Sequence, residues 1–270
     1  MSTPEEQFFN ELYTHYGFSR RGKILNHMLI PTPIKNSSGE IDNRWYRTPS
    51  PGDGSCLFHS VIMNILSDEA RPDIAKSLRL AIANSLSLLD YTNIQGGILS
   101  MLNIHIALQD KLSLSSFNSN PNEITEKEFK NKIDEIITKN SGINDIIEFR
   151  DKFISEVEKL AFDRDEIKEI FKGYYMSTYL EYVLSLKNLN QWADQSISLL
   201  LSQKLKVNVI IISSIDMKVY KDTSTFNPNY ISIVIFNIDG AHFEPMVMKE
   251  KEDIDDYRTT FSLKDLETIF

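Results

Sequence analysis

A single cysteine, Cys56, follows the turn Pro51-Gly52-Asp53-Gly54-Ser55. A free thiol has a pKa of about 8.5, and a helix N-terminus is one of the environments that lower it. Leu57, Val61, Ile62, Ile65 and Leu66 keep helical spacing behind it, which predicts that Cys56 sits in the first turn of a helix. Gly52 and Gly54 permit backbone conformations closed to other residues and let a substrate backbone come close. Amides from such a turn can face a developing oxyanion. The alternative for a lone cysteine is a small buried residue with no chemistry. A phosphate-binding loop does not fit, because no Lys-Ser/Thr pair follows the glycines at the required spacing.

A cysteine nucleophile needs a general base, and the chain offers His15, His27, His59, His105 and His242. His59 shares the helix of Cys56, three residues on, where its side chain is drawn toward the helix body. His15, His27 and His105 lie in segments with no other chemical signal. His242 follows the turn Asn237-Ile238-Asp239-Gly240-Ala241 and opens HFEPMV. If that segment is a strand, His242, Glu244 and Met246 share one face, so Glu244 is placed to orient the imidazole. Phe243, Pro245 and Val247 share the other face.

The elements that position these residues follow from periodicity and punctuation. Residues 1–20 predict a polar-aromatic helix, and 28–52, with Pro31, Pro33, Pro49 and Pro51, an extended loop. A second helix is expected at 72–89. A Ser/Asn/Pro-rich loop then leads into charged amphipathic helices near 125–137 and 143–162, read together as a helical lobe over 100–172. Helices at 174–187 and 191–205 precede two apolar, β-branched runs, 206–215 and 230–239, and a last strand at 242–248. Helices come early and strands late, so the fold class is α+β. The acidic stretch 250–256 and a short terminal helix follow.

Composition narrows the classes. With 41% hydrophobic residues, 270 positions can bury one sizeable core or two modest ones. A formal charge of −9 and the absence of a Lys/Arg cluster argue against nucleic acid. No apolar run approaches the roughly 20 residues of a membrane helix, and MSTPEEQFF lacks the pattern of a signal peptide. One cysteine makes no internal disulfide, which fits a reducing, cytosolic compartment. A zinc enzyme is disfavoured without a His-Glu-x-x-His helix or a second cysteine. The terminal SLKDLETIF leaves open that the chain is a catalytic domain cut from a longer protein.

PGDGSCLFHSV resembles the cysteine box of the ovarian tumour (OTU) deubiquitinases, an Asp-Gly-x-Cys followed by an apolar helix. Gln191-Trp192-Ala193-Asp194, leading into SISLLLSQKLKVNVIII, resembles the family's second block, and His242-Phe243 its third. The resemblance implies a papain-type cysteine protease core, a small central β-sheet flanked by helices, in a single domain of residues 1–270. The lobe at 100–172 would be inserted within it, as in bacterial effector members. Cys56 would be the nucleophile, His242 its base, and Asp53 part of the oxyanion loop. Many members carry Asp or Asn where this chain has Glu244. Trp192 would anchor the core beside the site and, with Gly54 and Phe243, border the substrate.

The function implied is deubiquitination, the hydrolysis of an isopeptide bond at the C-terminal glycine of ubiquitin, with no metal or organic cofactor. Glu244 and the acidic 250–256 stretch are candidates to hold ubiquitin's basic tail. Ubiquitin and polyubiquitin chains are the expected partners of a monomer acting in the cytosol, delivered by a bacterium into its host. Two alternatives remain: a cysteine hydrolase or acyltransferase acting on a ubiquitin-like modifier or other substrate, and a non-catalytic ubiquitin-binding module.

Overall fold

A computed structural model describes residues 2–14, 29–36, 38–66, 71–94, 176–193, 195–221, 226–250 and 257–267, with separate positions between 131 and 159. The chain divides into two compact units, one of Met1–Ser85 with Ser185–Phe270 and one of Leu86–Leu184.

The first unit is built on the late apolar runs. Val207–Ser213 (β5) is buried throughout, and Ile231–Ile238 (β7) and His242–Lys249 (β8) are buried except at their ends. Runs buried on both faces are what an interior sheet requires. β5 and β7 are parallel, and β8 returns antiparallel to β7 through the turn at Asp239 and Gly240, both at positive φ. The short strand Val219–Lys221 (β6) closes the far edge against β5.

The segment 28–52, expected as an extended loop, instead carries four short strands: Ile30–Pro31 (β1), Ile34–Lys35 (β2), Ile41–Asp42 (β3) and Trp45–Arg47 (β4). Pro31 sits on the edge strand β1 and Pro33, Pro49 and Pro51 lie outside the strands, where a missing N–H costs no ladder bond. β4 carries the aromatic pair Trp45-Tyr46 and pairs with β8, extending the sheet to the order β1-β4-β8-β7-β5-β6, with Tyr257–Arg258 (β9) also on β8. β2 and β3 form a separate hairpin.

One face of the sheet packs Trp45, Ile210, Ile212, Val234, Phe236, Met246 and Met248 against Ile34, Phe261 and Leu266, the last in the terminal helix Leu263–Glu267. The alternate residues Val209, Ile211, Ile233, Ile235, Phe243 and Val247 are buried too. Helix Cys56–Leu66 (α2) packs on β8 and β7, and helix Ile197–Leu205 lies on β5. Asn64 of α2 donates to the Val234 carbonyl at 3.0 Å, tying helix to strand. Helix Pro72–Ser85 (α3) packs on α2, and helix Pro4–Thr14 (α1) on α3. The architecture is α+β, a central sheet flanked by helices.

Two helix boundaries differ from expectation. The helix expected over 72–89 ends at Ser85, and a new one, Leu88–Ile94, starts behind a capping box in which Ser87 and Asp90 exchange backbone and side-chain hydrogen bonds. The helix expected over 191–205 begins only at Ile197, and Lys206 ends it in the left-handed region at φ 51°. The N-terminal helix is described over Pro4–Thr14, and 15–20 lie outside the described residues.

In the second unit, Tyr91 meets Tyr179 and Tyr182 at ring separations of 5.6 and 5.2 Å, and Tyr179 donates to the Leu86 carbonyl. Burial pushes the Tyr179 phenol up to about 12, with Asp90 adding to the rise. Positions 131–132, 135–136, 138–140, 148, 152–153 and 155–156 are helical. Most of the 100–172 segment lies outside the described residues. Among the described residues no helix is long and apolar enough to cross a membrane.

Candidate active site

Cys56 is the first residue of α2. The preceding turn is closed by Asp53, whose Oδ1 accepts the Ser55 N–H at 2.9 Å and whose two carboxylate oxygens lie 3.2 Å from His59 Nε2. Desolvation raises the Asp53 pKa, but the Ser55 N–H, His59 and Lys76 outweigh it and hold the carboxyl below its ordinary value. His59 is fully buried with its Nε2 occupied by Asp53. It braces the cysteine turn from within the helix.

The Cys56 thiol is 1% exposed, and burial pushes its pKa up. The backbone N–H groups of Phe243, Leu57 and Cys56 itself pull it down, and the charge of Asp53 pushes it up further. The helix N-terminus thus acts in the expected direction, but desolvation wins. The expectation of a lowered thiol pKa is corrected on that ground.

Phe243 brings the two ends of the chain together, one residue after His242. Its carbonyl accepts the Ser50 hydroxyl at 2.6 Å and lies 2.9 Å from that of Ser60. Ser60 Oγ is also 2.8 Å from the Cys56 carbonyl, so its single O–H bridges helix and strand. His242 Nε2 lies 3.5 Å from Glu244 Oε1. Glu244, buried on the same face of β8, meets Arg47 with its other oxygen.

Trp192 stands edge-on to the His242 ring, 6.3 Å between centroids at 78°. It is 51% exposed, so it covers the imidazole from outside and does not anchor the core as expected. Asp194 lies outside the described residues. Phe243 is corrected as well: its ring is 2% exposed and fills the core, so only its backbone reaches the site.

Gly54 has a use that sequence does not show. A Cβ there would lie 2.5 Å from the Gln191 carbonyl oxygen and 2.8 Å from that of Leu189, so the close approach it permits is that of its own chain. Its carbonyl accepts the Ala193 N–H at 3.3 Å and Arg79 Nη1 at 2.5 Å. Arg79, fully buried on α3, also donates to the carbonyls of Ser185, Leu186, Asn188 and Gln191 and to the Ser55 hydroxyl. One guanidinium therefore clamps the cysteine turn to the loop that carries Trp192. Burial lowers its pKa, against the charges of Asp53 and Cys56, but an arginine stays protonated.

Cys56, Asp53, Gly54, Trp192, Phe243, His242 and Glu244 thus gather at one end of the sheet. The 251–256 stretch lies outside the described residues, as do His15, His27 and His105. Sequence reasoning singles out neither Arg47 nor Arg79. Arg47 follows the aromatic pair of a strand masked by neighbouring prolines. Arg79 stands four residues from both Ala75 and Ala83 on an apolar helix face, an interruption that marks a buried cation. Among the described residues no group of three or more His, Cys, Asp or Glu is gathered as a metal site.

No protein-family model and no curated protein matches the chain. Solved structures are similar to it. An ovarian tumour (OTU) domain in complex with ubiquitin has 15% identity and a TM-score of 0.41, over 90% of this chain and 88% of that one. The viral OTU domain protease of Taggert virus has 15% identity and a TM-score of 0.35, over 85% and 89%. That of Farallon virus has 14% and 0.33, over 77% and 86%. Each of these three solved structures is an OTU domain.

Proposed function

We propose that the chain is a cysteine hydrolase that cleaves the isopeptide bond at the C-terminal glycine of ubiquitin. The observation that carries this reading is the Ser60 hydroxyl, 2.8 Å from the Cys56 carbonyl and 2.9 Å from the Phe243 carbonyl, which ties the start of the cysteine helix to the residue after His242, while His242 Nε2 faces Glu244 at 3.5 Å. The three sequence blocks around Cys56, Trp192 and His242, in that order, supply the substrate class.

A thiol whose pKa is raised is a poor nucleophile until its proton is taken. In the proposed reaction His242 Nδ1 accepts that proton as Cys56 attacks the glycine carbonyl, then donates it to the leaving lysine amine. A thioester remains, and water activated by His242 hydrolyses it to release ubiquitin and the free thiol. Glu244 holds the imidazole and stabilises the imidazolium formed between the two proton transfers. Trp192 shields the His242–Glu244 pair from water, which strengthens it. The lone cysteine suits action in a reducing compartment such as the cytosol of a host cell.

Hydrolysis of ubiquitin carrying a fluorogenic C-terminal amide tests this reading. Wild type is expected to turn over, and Cys56→Ala and His242→Ala to lose at least about a hundredfold in kcat/KM. Equal rates in wild type and Cys56→Ala would remove the proposed nucleophile. Turnover only with a ubiquitin-like modifier would redirect the substrate.

A further inference from the structure

We propose that Arg47 is a positioning residue for the base, holding one oxygen of Glu244 so that the other stays on His242. The inference rests on the reading of His242 as the base of Cys56. β4 and β8 pair antiparallel with Arg47 opposite Met246. Side chains alternate along a strand, so Glu244 lies on the same face as Met246, one diagonal step from Arg47 and within reach of a long side chain. Arg47 Nη1 contacts Glu244 Oε2, while Glu244 Oε1 faces His242 Nε2 at 3.5 Å. The two oxygens of one carboxylate are divided between a fixed cation and the imidazole.

That division answers two physical problems. Glutamate has one more rotatable bond than aspartate, and a single contact to an imidazole leaves its carboxylate free to swing. A planar guanidinium on a paired strand removes that freedom. Glu244 is also 5% exposed, and a buried carboxylate without a cation takes up a proton or turns toward water. Arg47 supplies that cation on one oxygen and leaves the other to face His242. Arg47 reaches neither the sulfur nor the reacting carbonyl, so its effect passes through Glu244.

The test is alkylation of Cys56 by iodoacetamide as a function of pH, followed by intact mass. The chain has one cysteine, so the signal reports Cys56 alone, and it needs no ubiquitin. Failure of the substrate assignment therefore leaves this result untouched. The charged groups bearing on the profile are His242, Glu244, Arg47, Asp53 and Arg79, and the last two are unchanged in every variant. Arg47→Met is expected to slow alkylation at pH 7 by about tenfold and to shift the acidic limb of the profile, as expected for coupled residues. Arg47→Lys is expected to recover part of the rate. In a Glu244→Gln background, Arg47→Met is expected to have no further effect beyond about twofold. Should Arg47→Met fail to fold, Arg47→Lys and Arg47→Gln carry the same comparison. A profile for the Arg47 variants that overlays wild type would overturn the proposal, as would a full tenfold loss that persists in Glu244→Gln.

Discussion

Arg79 donates to the Gly54 carbonyl at 2.5 Å, from a guanidinium that is wholly buried and has five backbone carbonyls around it. This joint holds the cysteine turn against the loop of Trp192. Truncating Arg79 to Ala takes the guanidinium from all five carbonyls, of which only those of Gly54, Ser185 and Asn188 keep a backbone N–H, and the expected loss of stability is about 3 kcal/mol or more. Arg79→Lys is expected to recover only part, because one ammonium cannot span the same fork. Urea unfolding of the three proteins measures both.

Gly54→Ala is expected to destabilise by about 1–3 kcal/mol, because the added methyl meets the backbone of Gln191 and Leu189, which has no rotamer to yield. Gly52→Ala is the control, since nothing lies within 4 Å of its Cβ position. Thermal unfolding is expected to separate the two variants clearly, and equal melting temperatures would deny the close approach.

Trp192→Ala removes an exposed ring, so stability is expected to move by no more than about 0.5 kcal/mol. Activity is expected to fall because water gains access to the His242–Glu244 pair. Trp192→Phe retains a ring edge and is expected to lie between. Steady-state kinetics with fluorogenic ubiquitin is the measurement, and a change in KM alone would assign Trp192 to substrate contact.

The raised Cys56 pKa links stability to pH. Above the ordinary thiol pKa of about 8.5 the unfolded chain releases the thiol proton while the folded chain, whose value is raised, keeps it. The contribution is therefore fully present below that ordinary value and lost as pH rises through the folded value. Cys56→Ser lacks this group, so its stability is expected to fall less steeply than wild type between about pH 8.5 and 10. Parallel slopes in urea titrations across that range would contradict the buried thiol.

Much of this site is legible in sequence because its signals are local. Cys56 announces itself by type, by the glycines before it and by the helical period behind it. His242 follows a turn after a β-branched strand, and strand alternation alone puts Glu244 on its face. What is not legible depends on pairings between distant segments. Arg47 matters only because β4 lies beside β8, nearly 200 positions later in the chain. Gly54 looks like room for substrate until Gln191 is seen to occupy that room. The resemblance puts Trp192 in the core, but the helix starts five residues later and the indole is left outside. The thiol's raised pKa comes from burial, which no helix-start pattern reports.

The most direct measurement is reaction with ubiquitin bearing a C-terminal electrophile, read by intact mass and peptide mapping. Wild type is expected to gain the mass of one ubiquitin, mapped to Cys56. Cys56→Ala is expected to gain none, and His242→Ala to react much more slowly. An adduct that survives Cys56→Ala, or a wild-type protein that stays unmodified, would contradict the assignment of Cys56 as a nucleophile for ubiquitin.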